Sequence, residues 1–308
     1  MVHFLTKIKK AYFRFLKTAL LEQRAKKGFY AVDMATDAMG LGARIINMFE
    51  ILLYCDTKGY IPAFKFNYPG EDTDTDYFGE LFLYKNLSAG ALNALQFTAI
   101  RDTSNLGWKN YDKKLSLSIA KGLFDKYFSF NSIILEEVDS FCNKWFSGKQ
   151  VLGVHYRGSD KATEAPVVSL DSLSNHIVEI LKNNPEINLI FVSSDEKKTI
   201  QYLSDLHLPA PVVFREDIIR SEDGEQIHLM KQNSKSVINR DAMVNCLLLS
   251  RCDYLLKNAS LLSDCSVIFN PKLKVSVISA PYAHATWWPT SEINKYALLN
   301  DKKNMIII

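Results

Sequence analysis

Apolar positions along the chain follow two regimes. In the first half they come in irregular groups. Gly28 to Met34 is a short apolar run of strand length, and Gly40-Leu-Gly-Ala-Arg44 then opens a helical periodicity through Ile45, Ile46, Met48, Phe49, Leu52 and Leu53. Tyr60 to Phe66 is a second strand-like run, followed by an acidic, turn-rich loop from Tyr68 to Asp76. Residues 87–145 read as mostly helical, and a weak boundary lies at Phe146-Ser-Gly-Lys149. Beyond it the alternation becomes regular. Strands are predicted at Val151 to Tyr156, Ile187 to Val192, Val212 to Phe214, Tyr254 to Leu256 and Val275 to Ile278, with helices at 169–182, 196–205, 238–250 and 261–268. That order predicts an α/β domain with a doubly wound parallel sheet, in which ligands sit beyond the carboxyl ends of the strands.

A length of 308 residues suits two domains better than one core. The pattern divides the chain into an N-terminal helix (1–27), a first domain (28–148), a second, regularly alternating α/β domain (149–280) and a C-terminal segment (281–308). Charge separates the first of these from the rest. Residues 1–27 carry eight basic side chains against Glu22 alone, a balance of +7, whereas the remainder holds 29 basic and 33 acidic residues, a balance of −4. The body is therefore no nucleic-acid binder by charge. Within 1–27, Phe4, Ile8, Ala11, Tyr12, Phe15 and Ala19 recur at helical spacing among the basic residues, which predicts a cationic amphipathic helix. Its apolar runs are too short to cross a bilayer. Two placements fit it: packing on its own protein, or that together with contact to an anionic membrane surface. The cysteines, five in number, lie in apolar or helical surroundings without a zinc-type pair, and read as reduced core residues of a cytoplasmic protein.

Three polar clusters stand at predicted strand ends. The first, His155-Tyr-Arg157-Gly158-Ser-Asp160-Lys161, empties a buried strand into an imidazole, a guanidinium, a carboxylate and an ammonium. On an extended segment His155 and Arg157 face the same side, and the arginine offers a two-pronged fork to phosphate oxygens. Gly158 lets a backbone come close. A surface salt-bridge cluster is the plainer alternative. The second cluster is Ser193-Ser194-Asp195-Glu196, where a short side chain caps the next helix or holds a ribose hydroxyl. The third runs from Arg240 through Asn245 to Lys257-Asn-Ala-Ser260, where Ser260 either caps a helix or, with the free amides of its first turn, seats an anion. Asp72-Thr-Asp74 and Asp74-Thr-Asp76 match a metal-binding D-x-D pair but read as a solvated loop, and Gly40-x-Gly42 reads as a tight turn rather than a dinucleotide fingerprint. No metal ligand set is predicted. Trp287-Trp288 beside Pro289 reads as packing, with stacking on a sugar as the alternative.

The segment Gly153-Val-His155-Tyr-Arg157-Gly-Ser-Asp160-Lys161-Ala-Thr-Glu164 resembles the signature of the H-x-R-x-x-D fucosyltransferase superfamily, and within it the α1,6-fucosyltransferases of core N-glycan and nodulation-factor synthesis. The later S-S-D-E run, the L-L-L-S-R-C-D-Y-L-L stretch and the serine loop at Ser260 follow in that family's order, so the likeness covers about 130 residues. It implies a GT-B-like enzyme of two Rossmann-like lobes with a cleft between them, inverting and metal-independent, with a GDP-sugar as donor substrate and no cofactor. It further implies a glycan acceptor, with 28–148 as the acceptor-side domain and 149–280 as the nucleotide-sugar-binding domain. The basic N-terminal helix fits a peripheral enzyme on the inner face of a membrane, where a lipid-linked glycan acceptor of surface polysaccharide or lipopolysaccharide synthesis is found. By motif position Arg157 binds the donor diphosphate, His155 lines the nucleotide site, and Lys161, Glu164 and Ser260 lie around the sugar. In catalysis Arg157 and Lys161 meet the charge of the leaving group, and Glu164 either takes the acceptor's proton or binds a sugar hydroxyl. His155, Gly158, Asp160, Ser194, Asp195, Asn245 and Ser260 line the donor site. The sequence departs from the family at Gly158, where a second arginine is usual, in a loop from Lys161 to Glu164 one residue shorter, and at Asn245, where relatives place a carboxylate on guanine.

Overall fold

The computed structural model describes residues 19–25, 28–35, 39–68, 75–100, 109–158, 164–222, 227 and 234–300. The chain forms two compact units, Met1–Asn131 and Ser132–Ile308.

In the first unit β1 (Phe29–Asp33), α1 (Leu41–Lys58) and β2 (Ile61–Lys65) make a parallel crossover, as the apolar pattern predicts. Gly59 ends α1 with φ 73°, in the left-handed region where glycine carries no steric penalty. The remaining segment is less helical than its periodicity suggests. It holds α2 (Ala89–Asn93), α3 (Leu117–Tyr127) and a 3₁₀ turn at Lys109–Lys114. It also holds β4 (Thr98–Ala99), which completes a sheet of order β2-β1-β4, and β5 (Phe128–Phe130), which pairs antiparallel with β3 (Phe82–Tyr84). These strands span two or three residues, too few for a period of two to register. Their aromatics close the core, with Phe78, Phe82, Phe128 and Phe64 ring to ring at 5.1–6.4 Å. Residues 19–25 are helical and dock on this unit. Leu21 and Ala25 are buried, Glu22 accepts hydrogen bonds from Tyr54 and Tyr60, and Arg24 donates to Thr98 Oγ1 at 2.8 Å. Residues 1–18, the rest of the predicted basic helix, lie outside the described residues.

The second unit opens with α4 (Ser132–Trp145) and continues through β6 (Val151–Tyr156), α5 (Leu170–Asn183), β7 (Leu189–Ser194), α6 (Lys197–Asp205) and β8 (Val212–Val213). Then come α7 (Lys235–Ser250), β9 (Tyr254–Lys257), α8 (Leu261–Phe269), β10 (Lys274–Val277) and α9 (Thr290–Asn300). All five strands are parallel, in the order β10-β9-β6-β7-β8. The first strand thus lies at the centre, with its successors filling one side and then the other, which is the doubly wound order.

Side chains alternate across β6. Leu152, Val154 and Tyr156 join Ile190, Val192, Leu173, Ile177 and Leu203 in one buried cluster under α5 and α6. Each such aliphatic contributes about 1.5–3 kcal/mol by leaving water. On the other face Gly153 lies so close to α7 that an added Cβ would meet Cys252 Sγ at 2.9 Å and Leu249 at 3.1 Å. Phe141 and Phe146 cover Phe191 of β7 on that side at 5.4 and 5.6 Å. No helix among the described residues is long and apolar enough to cross a membrane. None of the five cysteines forms a disulfide, and burial pushes the Cys246 thiol up to about 12.

Candidate donor site at the strand switch point

The chain leaves β6 toward one face of the sheet and β9 toward the other, so a crevice opens between their carboxyl ends. Strand alternation fixes what faces it. His155 and Lys257 are direct register partners at the last paired position of β6 and β9. Their side chains share the face that Gly153 leaves thin.

His155 is buried, and Nδ1 has no hydrogen-bond partner among the described residues. Burial holds its pKa down to about 3, and the cations of Lys257 and Arg157 act in the same direction. The imidazole is therefore neutral across the physiological range, and protonating it would place an extra positive charge beside two others.

Lys257 is itself fully buried. Its Nζ lies 2.6 Å from Asp264 Oδ1 in α8, and the other oxygen of Asp264 accepts a 2.5 Å hydrogen bond from Thr290 Oγ1 at the start of α9. This chain of buried groups joins the end of β9 to the C-terminal helix. The third polar cluster of the sequence includes Lys257, but nothing in it shows the pairing with Asp264 and Thr290. Tyr-Leu-Leu-Lys looks like an apolar strand ending in a solvent lysine, and a carboxylate seven residues on gives no sign of turning back.

Arg157 follows β6 directly. Its side chain is about one-fifth exposed, and Nε lies 3.6 Å from Asp195 Oδ2, beyond the end of β7. The first and second polar clusters of the sequence are thus brought together. Gly158 is buried, and the group that uses its missing side chain is Glu196: an added Cβ would fall 1.8 Å from Oε1. Glu196 is buried too, its other oxygen accepting from Thr199 Oγ1 at 3.2 Å, so it has little room to retreat. Gly158→Ala should consequently destabilise the protein by about 1–3 kcal/mol, read as a lower denaturation midpoint at unchanged slope. An unaltered midpoint would show that the Glu196 carboxylate swings away freely.

Of the remaining predicted residues, Ser194 is the last residue of β7, and its Oγ accepts from Glu196 N at 3.2 Å, so it braces its own turn. Ser260 occupies the position before α8, yet its hydroxyl makes no cap bond and is buried without a partner. The capping role open to it in the sequence is not the one it takes. Asn245 is buried within α7. Glu164 sits half-buried in the loop after β6, which is tied to the chain beyond β10. Its carbonyl accepts from Tyr282 N at 2.8 Å, and that of Pro166 from Ser279 Oγ at 2.7 Å. Asp160 and Lys161 lie outside the described residues, as do Asp72 and Asp74 of the acidic loop. Trp288 is buried and donates to Glu292 at 3.1 Å, whereas Trp287 is partly exposed. No cluster of metal-ligating side chains occurs among the described residues.

A second polar group, missed in the sequence, ends the central strand of the first unit. Asp33 is buried, with Oδ2 accepting from Asn67 Nδ2 at 2.8 Å and Oδ1 unpartnered, and burial raises its pKa. Beside it Arg44 is wholly buried, donating to the carbonyls of Met34, Met39 and Asn67 under the ring of Tyr68.

Neither a family model nor a curated protein sequence matches the chain. Solved structures do. It is similar to NodZ alpha-1,6-fucosyltransferase soaked with GDP-fucose, at 16% identity and a TM-score of 0.54 over 78% of this chain and 92% of that one. Fucosyltransferase NodZ from Bradyrhizobium gives 15% identity and 0.52 over 77% and 91%. A variant of Arabidopsis thaliana FUT1 in complex with GDP gives 13% and 0.51 over 84% and 72%. At these identities the likeness is one of fold: the chain has the GT-B-like α/β architecture of these fucosyltransferase structures.

Proposed function

We propose that the chain is an inverting, metal-independent glycosyltransferase that moves fucose from GDP-fucose to a glycan acceptor. The observation that carries this reading is the placement of Arg157, His155 and Ser260 just at or beyond the carboxyl ends of the neighbouring strands β6 and β9, with His155 Nδ1 and Ser260 Oγ buried and without a hydrogen-bond partner among the described residues. That is where doubly wound sheets bind nucleotides. The solved structures of like fold that hold GDP or GDP-fucose support the same choice of ligand.

In the reaction the acceptor hydroxyl gives its proton to Glu164 while its oxygen forms a bond to the anomeric carbon. The bond from that carbon to the β-phosphate oxygen breaks, and GDP leaves with the electron pair from the opposite face. Charge building on the diphosphate is met by Arg157, Lys161 and the amides at the start of α8. Gly158, Asp160, Asp195 and Ser194 line the donor, and Asn245 hydrogen-bonds the base. Because an amide hydrogen-bonds a base without offering charge, the donor panel includes other nucleotide sugars, such as GDP-mannose or a GDP-deoxysugar. The basic segment 1–27 would hold the enzyme to the anionic inner face of a membrane, where lipid-linked acceptors of surface polysaccharide synthesis are found.

Nucleotide binding tests the reading directly. GDP at a hundred times its dissociation constant should stabilise the native state by about 2.7 kcal/mol, visible as a thermal shift, with UDP and TDP giving none. A protein indifferent to every guanine nucleotide would refute the donor assignment.

A further inference from the structure

The central strand of a doubly wound sheet has a difficulty built into it. β6 and β9 share their ladder as far as His155 and Lys257, and there the two chains turn to opposite faces. Arg157, the next odd residue of β6, therefore has no strand beside it on the β9 side to take up its peptide groups. A buried peptide group left in that state costs about as much as a lost hydrogen bond.

Asn258 fills the gap. Its Oδ1 accepts from Arg157 N at 3.0 Å, and its Nδ2 donates to Arg157 O at 2.5 Å. Its own backbone N–H donates to His155 O at 3.3 Å. The side chain is buried, and it presents one donor and one acceptor in the spacing of a neighbouring strand. One amide thus continues the ladder for a single residue after the strands part, and that residue is the arginine.

We propose that Asn258 is a positioning residue for Arg157: its side-chain amide fixes the arginine's main chain at both ends, so that the guanidinium is aimed before any ligand arrives. The proposal rests on the reading of Arg157 as the diphosphate-binding group. The amide touches no reacting atom. Its effect is preorganisation, which here means that the backbone under a long side chain is held at two points.

GDP affinity, measured by titration calorimetry on the full chain, tests this through a double-mutant cycle. Asn258→Ala removes both bonds, while Asn258→Asp keeps the shape and loses only the Nδ2 donor, setting a carboxylate against the Arg157 carbonyl. Each should weaken GDP binding roughly tenfold. In an Arg157→Ala background neither should weaken it further, because the group they aim is gone. A merely structural role would lower affinity equally in both backgrounds, and that result, or an unchanged dissociation constant in either single variant, overturns the proposal. Should Asn258→Ala not fold, the isosteric Asn258→Asp carries the cycle alone. If the unaltered protein binds no GDP, the reading of the donor site fails and the proposal with it. If the unaltered protein binds and Arg157→Ala does not, while Asn258→Asp binds normally, the donor site stands and only the role of Asn258 is lost.

Discussion

Replacing Asp264 with alanine should lower the stability of the protein by about 3–5 kcal/mol, because it leaves Lys257 charged and alone in the interior. The two side chains are 1% and 0% exposed and meet at 2.6 Å. The ammonium is buried at the last residue of β9. The attraction between the two charges offsets their desolvation only while both are present. Typical stabilities are 5–15 kcal/mol, so the loss is a large fraction of the whole, equal to roughly 10 °C in melting temperature for a protein of this size. Thr290→Val, which removes only the hydroxyl bonded to Asp264, should cost less, about 1.5–3 kcal/mol. Replacing both charged partners together, Lys257→Met with Asp264→Leu, should restore most of the stability, since a well-packed apolar pair needs no compensation. Chemical denaturation of the three variants separates these cases. An Asp264→Ala protein unfolding at the original midpoint would mean that the lysine finds another anion or escapes.

The second unit was the more legible half, for a physical reason. Parallel strands buried on both faces read as continuous apolar runs, and the helices between them bury one stripe each, so the alternation shows without knowledge of pairing. Even there the ends slipped. Ser193 and Ser194 look like a polar loop, yet they pair in register with His155 and Tyr156 and are 4% exposed. The first unit hid its short strands, because two or three residues such as Thr98–Ala99 or Phe128–Phe130 carry no period. In the site, His155, Arg157 and the Ser193–Glu196 run could be singled out because residues of unusual chemistry fall at a strand end. The bonds made by Asn258 and within the Lys257–Asp264–Thr290 chain could not, although Lys257 and Asn258 lie in the third polar cluster. Their meaning depends on contacts made only when segments up to about a hundred residues apart come into register, and an asparagine after a lysine announces none of that.

Arg157→Ala should reduce sugar transfer by about 10²–10³-fold with the fold intact. The guanidinium Nε lies 3.6 Å from Asp195 Oδ2, an ion-pair distance longer than a hydrogen bond. A diphosphate brings more charge and a better match of oxygens to the fork, so it should displace Asp195 as the partner and hold the arginine where leaving-group charge develops. Because that charge is greatest when the bond to the sugar is nearly broken, the loss should fall on turnover more than on the Michaelis constant for the donor. Arg157→Lys should recover only part of the rate: a lysine returns the charge but contacts one oxygen where the arginine spans two. Donor hydrolysis without acceptor gives the same comparison free of any choice of acceptor, and circular dichroism with a melting curve shows whether the fold survives. Near-normal hydrolysis by a folded Arg157→Ala protein would mean that the guanidinium is no more than half of a surface ion pair with Asp195, and leaving-group stabilisation would then have to come from the amides at the start of α8.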